Sequence, residues 1–166
     1  MKFRQVDEGF EWVFKGDGVA DQVARLKGWA KNNQTLVPLV RWGVGAAKVE
    51  WNLPSGMPDT IKIDEKIPAG MSETSIQMEW RRINSFSDPN GNMQKLVDWK
   101  REANWMQVLE GLHHMEAKLL TAAKDGTLLE MYPQLEALLP ALGIEEYNVP
   151  VKKKPRKKKS PKKSVA

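Results

Sequence analysis

The chain has 166 residues, 41% hydrophobic and 28% charged, enough for one domain with a buried core. It has no cysteine, which excludes disulfides and cysteine-ligated metals. It also has no apolar run near the roughly 18 residues a membrane-spanning helix needs, so no membrane partner is expected. The formal charge of +5 is divided unevenly: residues 151–166 carry eight lysines and Arg156 without an acid, a charge of +9, while the other 150 residues hold 17 basic and 21 acidic groups, a charge of −4.

The first residues, MKFRQVDEGFEW, lack the apolar core of a signal peptide, so a cytoplasmic protein is expected. Residues 7–15 (DEGFEWVFK) read as a short helix with Phe10, Val13 and Phe14 on one side and acids at its start, where they complement the helix dipole. After a KGDG turn, residues 19–31 repeat apolar groups at Val19, Val23, Leu26 and Ala30, an amphipathic helix ended by Asn32 and Asn33. Thr35 is the expected cap of a third helix over 36–42, with Pro38 tolerated in its first turn. From 43 to 70 glycine and proline punctuate the chain, and Trp51, Leu53 and Met57 argue that this irregular stretch packs across the helices. Residues 60–63 alternate like a short strand without a clear partner. Ser72 is the expected cap of a helix over 73–86 with Ile76, Trp80 and Ile83 as its buried stripe, followed by a SDPNG turn.

The centre of the chain is residues 98–126. Apolar groups at Trp99, Ala103, Met106, Leu109 and Leu112, then at Met115, Leu119, Leu120 and Ala123, predict two helices that break near His113 and His114. Gly126 suits a left-handed C-cap; Thr127 starts a short helix and Pro133 another through Leu139. The seven tryptophans supply rings large enough to fill a core with few residues. The expected architecture is an all-α domain of five to seven helices over residues 1–142, with one long irregular segment at about 43–70. A linker at 143–150 then leads to a Lys-rich tail at 151–166, like-charged and broken by proline, hence disordered when free.

Four stretches carry a resemblance: WNLPSGMP at 51–58, GMSET…WRRI at 70–83, WKREANWMQVLEGLH at 99–113 and EAKLLTAAKDGTLLEMYP at 116–133. Together they resemble a family of small, uncharacterised proteins of T-even-type tailed phages, cyanophages in particular, over most of residues 8–140. The resemblance implies a phage origin, an all-helical fold and residence in the cytoplasm of an infected bacterium. It supplies no catalytic residue. Met115 stands where some relatives have proline, which leaves the start of the second central helix open.

The tail is the strongest functional signal. Lys152, Lys153, Lys154, Arg156, Lys157, Lys158, Lys159, Lys162 and Lys163 can displace condensed counterions from a nucleic-acid backbone, giving affinity without sequence reading. Residues 160–163 (SPKK) also resemble elements of histone tails. A solubilising tail, a binder of any polyanion and a nuclear-localisation string fit the same composition. His113 and His114 diverge by roughly 100° on a helix and have no matching ligands, so a junction role is expected and no metal. Glu110, Glu116, Glu145 and Glu146 read as solvated helix charges. Trp80-Arg81-Arg82 and Trp99-Lys100-Arg101 interleave rings with cations as nucleic-acid platforms do, yet each tryptophan sits on an apolar stripe and is expected in the core. Gly43-Val44-Gly45 lacks the rest of a phosphate loop.

These features predict a non-enzymatic accessory protein without a cofactor. Its tail associates with the phosphate backbone of DNA or RNA, and its helical body binds an unidentified phage or host protein. The alternative is an assembly or host-takeover factor whose tail docks on an acidic protein surface.

Overall fold

The computed structural model describes residues 3–147, and every regular element among them is helical. Seven α-helices follow in order: α1 (Val6–Phe14), α2 (Gly18–Lys31), α3 (Leu36–Gly43), α4 (Trp80–Ser87), α5 (Asp98–Gly111), α6 (His114–Asp125) and α7 (Leu128–Met131). Two 3₁₀ segments, Asn92–Lys95 and Pro133–Leu142, complete the set. Residues 44–79 form the long irregular segment.

Helix α6 is the hub. Ala117, Leu119, Leu120, Ala122 and Ala123 are buried on most sides of the helix, which packs against α1, α3 and α7 and leaves Lys118 exposed. Its ends are set locally: His113 is the N-cap, its Nδ1 accepting from the Met115 N–H at 3.2 Å, and Gly126 closes it in the left-handed region at φ 73°. The start of α6 therefore lies at the histidine pair with Met115 inside the helix.

Two aromatic clusters fill the core. In one, Trp29 meets Phe10 and Phe3 edge-on, and Tyr132 packs on Phe10 and Phe14. In the other, Trp42 stacks on Trp80 and meets Trp51 edge-on, while Trp105 lies between Trp51 and Phe86. The first cluster depends on a bare backbone: a Cβ on Gly9 would lie 2.2 Å from the Trp29 ring.

The irregular segment is held by side chains rather than by a ladder. Gln94 donates to the carbonyls of Trp51 (2.8 Å) and Phe86 (2.6 Å). Arg101 donates to the carbonyls of Asn52 (3.0 Å) and Leu96 (2.7 Å) and pairs with Asp98. Lys124 donates to the Pro54 carbonyl at 2.8 Å, Asp125 accepts from the Gly56 N–H at 2.8 Å, and Glu110 accepts from the Lys62 N–H at 3.0 Å. Trp51 is buried in the core and Leu53 and Met57 pack against it, so the segment does cross the helices as its sequence predicts.

Several local expectations are corrected. Residues 60–63 form no strand; their backbone is engaged by Glu110 instead. The helix expected over 73–86 is only Trp80–Ser87; ahead of it the N–H groups of Thr74 and Ile76 bond to the Gly111 carbonyl and Glu116, which peg that stretch to α5 and α6 as a loop. Ser72 does not cap it; its hydroxyl donates to the Thr74 carbonyl. The Thr35 hydroxyl likewise donates to Asn33 Oδ1 at 2.7 Å instead of capping α3. On α2 the buried residues are Leu26 and Trp29, and Val19 is exposed. On α5 the buried face is Arg101, Trp105, Val108 and Leu109, whereas Trp99 is 69% exposed. The last element is a 3₁₀ segment reaching Leu142, and packing continues past the expected linker start at 143, since Ile144 is 2% exposed.

Candidate functional site

Where the start of α1 and the 70–78 loop meet α6, the fold places its most unusual polar group. Glu116 is 0% exposed. Its Oε2 accepts from the Val6 N–H at 2.8 Å and its Oε1 from the Ile76 N–H at 3.1 Å, so one carboxyl ties the first helix and the loop to the hub. Burial pushes its pKa up to about 7, with the charges of Asp7 and Glu8 adding to the rise and the two backbone N–H groups opposing it. Gln5 extends the anchor: its Oε1 accepts from the Gly70 N–H at 2.7 Å and its Nε2 donates to Asp7 at 2.9 Å. The expectation that Glu116 is a solvated helix charge is therefore wrong. The signal was present in the sequence, since Glu116 falls on the same helix face as Leu119, Leu120 and Ala123 and so on the apolar stripe.

Beside this anchor opens a cleft of about 810 Å³. Phe3 and Arg4 form one side, Trp29 and Asn33 a second, Ser75 and Gln77 a third. The cleft was not legible in the sequence, because its walls come from three stretches that only the fold assembles.

The other predicted positions separate. Lys152, Lys153, Lys154, Arg156, Lys157, Lys158, Lys159, Lys162 and Lys163 lie outside the described residues. His113 and His114 sit with rings 4.4 Å apart at the α5–α6 junction, and no cluster of three metal-ligating side chains occurs among the described residues. Glu110, Glu145 and Glu146 are exposed. Trp80 is half-buried and stacked on Trp42, as core packing predicts, with Arg82 paired to Glu79. Trp99 is not core: it stands on the surface with the Lys100 ammonium 5.5 Å from its ring centroid, and Arg101 beside it is the buried member of the trio. No helix among the described residues is long and apolar enough to cross a membrane.

Residues 12–130 match the family of unknown function DUF6433. The chain belongs to this family. No curated protein and no solved structure matches it. The span shared with DUF6433 takes in Ile76 and Glu116, the whole irregular segment, and α3 through α6. Phe3, Arg4 and the cationic tail fall outside that span.

Proposed function

We propose that this DUF6433 chain is a non-enzymatic phage protein that associates with DNA or RNA in the cytoplasm of the infected cell through residues 151–166. The observation that carries the reading is the segregation of charge: nine cations and no acid in sixteen residues, beside 150 residues with a formal charge of −4. Such a segment gains affinity by releasing counterions from phosphates, whatever the base sequence. The helical body recruits or blocks a second protein.

The test is a salt titration on two unrelated duplexes with the full chain, residues 1–150, and the triple variant K157A/K158A/K159A. Each phosphate neutralised contributes about 0.9 to the slope of log affinity against log salt, and proline and chain entropy keep all nine cations from engaging together, so the expected slope lies at about −4 to −8. The triple variant flattens it by up to about 3 units, equally on both duplexes. Undiminished binding by residues 1–150 overturns the reading and moves the contact to the body, where Trp99 and Lys100 present an exposed ring and cation. Capture of a protein from host lysate that survives nuclease treatment, without any affinity for duplex, supports docking of the tail on an acidic protein surface instead.

A further inference from the structure

The cleft beside the Glu116 anchor takes no part in that reading, and its chemistry points to a ligand of its own. Its size is that of sites holding small organic molecules. None of its lining residues is acidic, whereas donors approach from all three sides.

Arg4 is exposed on the rim, with its guanidinium laid over Gly70 and no ion pair among the described residues. Asn33 is 8% exposed. Its Oδ1 accepts from both the N–H (3.0 Å) and the hydroxyl (2.7 Å) of Thr35, which fixes the orientation of the amide and leaves Nδ2 a buried donor with no acceptor. Buried donors are nearly always paired, so this one calls for an explanation. Ser75 Oγ accepts from the Met78 N–H at 3.2 Å, which leaves its own hydrogen to give, and Gln77 adds an exposed carboxamide. The apolar side is Phe3, a flat ring set edge-on to Trp29 at 5.7 Å and tilted against Trp12 at 5.6 Å.

We propose that this cleft binds a phosphomonoester with an aromatic body, of the size and chemistry of a mononucleotide. Arg4 takes the phosphate, Asn33, Ser75 and Gln77 supply further donors, and the ring packs on Phe3. Donors from three chain segments line the cleft without an acid, which suits a phosphate, a dianion with three free acceptor oxygens against a carboxylate's two. The unpaired donor and the absence of acids give both halves of the argument a common sign. The inference is independent of the cationic tail.

The experiment uses the full chain, titrated with adenosine 5′-monophosphate by calorimetry and followed by ¹⁵N-resolved nuclear magnetic resonance, with adenosine and inorganic phosphate as the two half-ligands. Saturable one-site binding is expected, with each half-ligand weaker by about ten-fold or more and the Asn33 side-chain amide among the signals that move. Arg4→Gln weakens binding by about ten-fold or more through loss of the charged fork, and because Arg4 is exposed the variant keeps its melting transition. Gln77→Ala, also exposed, gives a second and smaller loss. Three results overturn the proposal: no saturation with the mononucleotide, equal affinity in Arg4→Gln, or signal changes confined to residues 151–166, whose cations attract any phosphate.

Discussion

Glu116 shows how much a single side chain does in this fold. Its carboxyl is held up near pH 7 in the native state but titrates at 4.5 when the chain is unfolded, so the native state binds the extra proton between those values. Stability from this group is therefore fully present below about pH 4.5 and is lost as pH rises through about 7, a change on the order of 3 kcal/mol. Glu116→Gln removes this slope. It also turns an amide NH₂ toward one of the two backbone N–H groups, which costs about 1–3 kcal/mol at low pH. Urea unfolding of both proteins between pH 5 and 8 reads both effects. Trp105 and Leu109, 2% and 0% exposed, carry no such chemistry and simply fill the core; replacing either by alanine costs about 2–5 kcal/mol. His113→Ala removes a cap and costs about 1 kcal/mol, measured in the same way.

At the scale of elements, α1 and α2 meet where Gly9 faces Trp29. Gly9→Ala sets a methyl 2.2 Å from the indole, so the helices must part or the ring must turn, at a cost of about 1–3 kcal/mol despite the better helix propensity of alanine. A thermal melt of this variant, beside Gly28→Ala on the open face of α2, separates packing from propensity. The same elements explain what the sequence made legible. The central pair, its break at the histidines, the Gly126 cap and the packed irregular segment follow from apolar spacing and turn chemistry, which are local. The phase of α5 does not, because the buried face is shared by Arg101, whose guanidinium is satisfied by Asn52, Leu96 and Asp98. Apolar periodicity is blind to a buried cation, and it credits an exposed ring such as Trp99 to the core. The shortened α4 has a related reason: the loop ahead of it is pegged by acceptors at Gly111 and Glu116, distant in sequence and invisible to local periodicity. The cleft shares this origin, and only assembled walls reveal it.

For the whole molecule, the last buried residue among those described is Ile144. A chain ending at residue 150 keeps every buried side chain of the described body, and its melting temperature stays within about 4 °C of the full chain's. A chain ending at residue 142 loses Ile144 and the Gly143 cap, and melts lower by about 2–4 °C for each kcal/mol forfeited. Differential scanning calorimetry of the two truncations locates the true edge of the body.

The side-chain pegs along the irregular segment have a consequence for chain continuity. Residues 64–66 are exposed, with Asp64 Oδ1 accepting from the Lys66 N–H in a local turn. Upstream, the backbone is tied down by Gln94, Arg101, Glu110, Lys124 and Asp125; downstream, by Gln5, Gly111 and Glu116. A single cut after Lys66 thus severs a peptide bond without releasing either side, and the two fragments elute together under native conditions and part only in denaturant. Separately produced halves then find each other and rebuild the fold, because contacts on both flanks of the cut hold the two pieces to the same helices without the peptide bond.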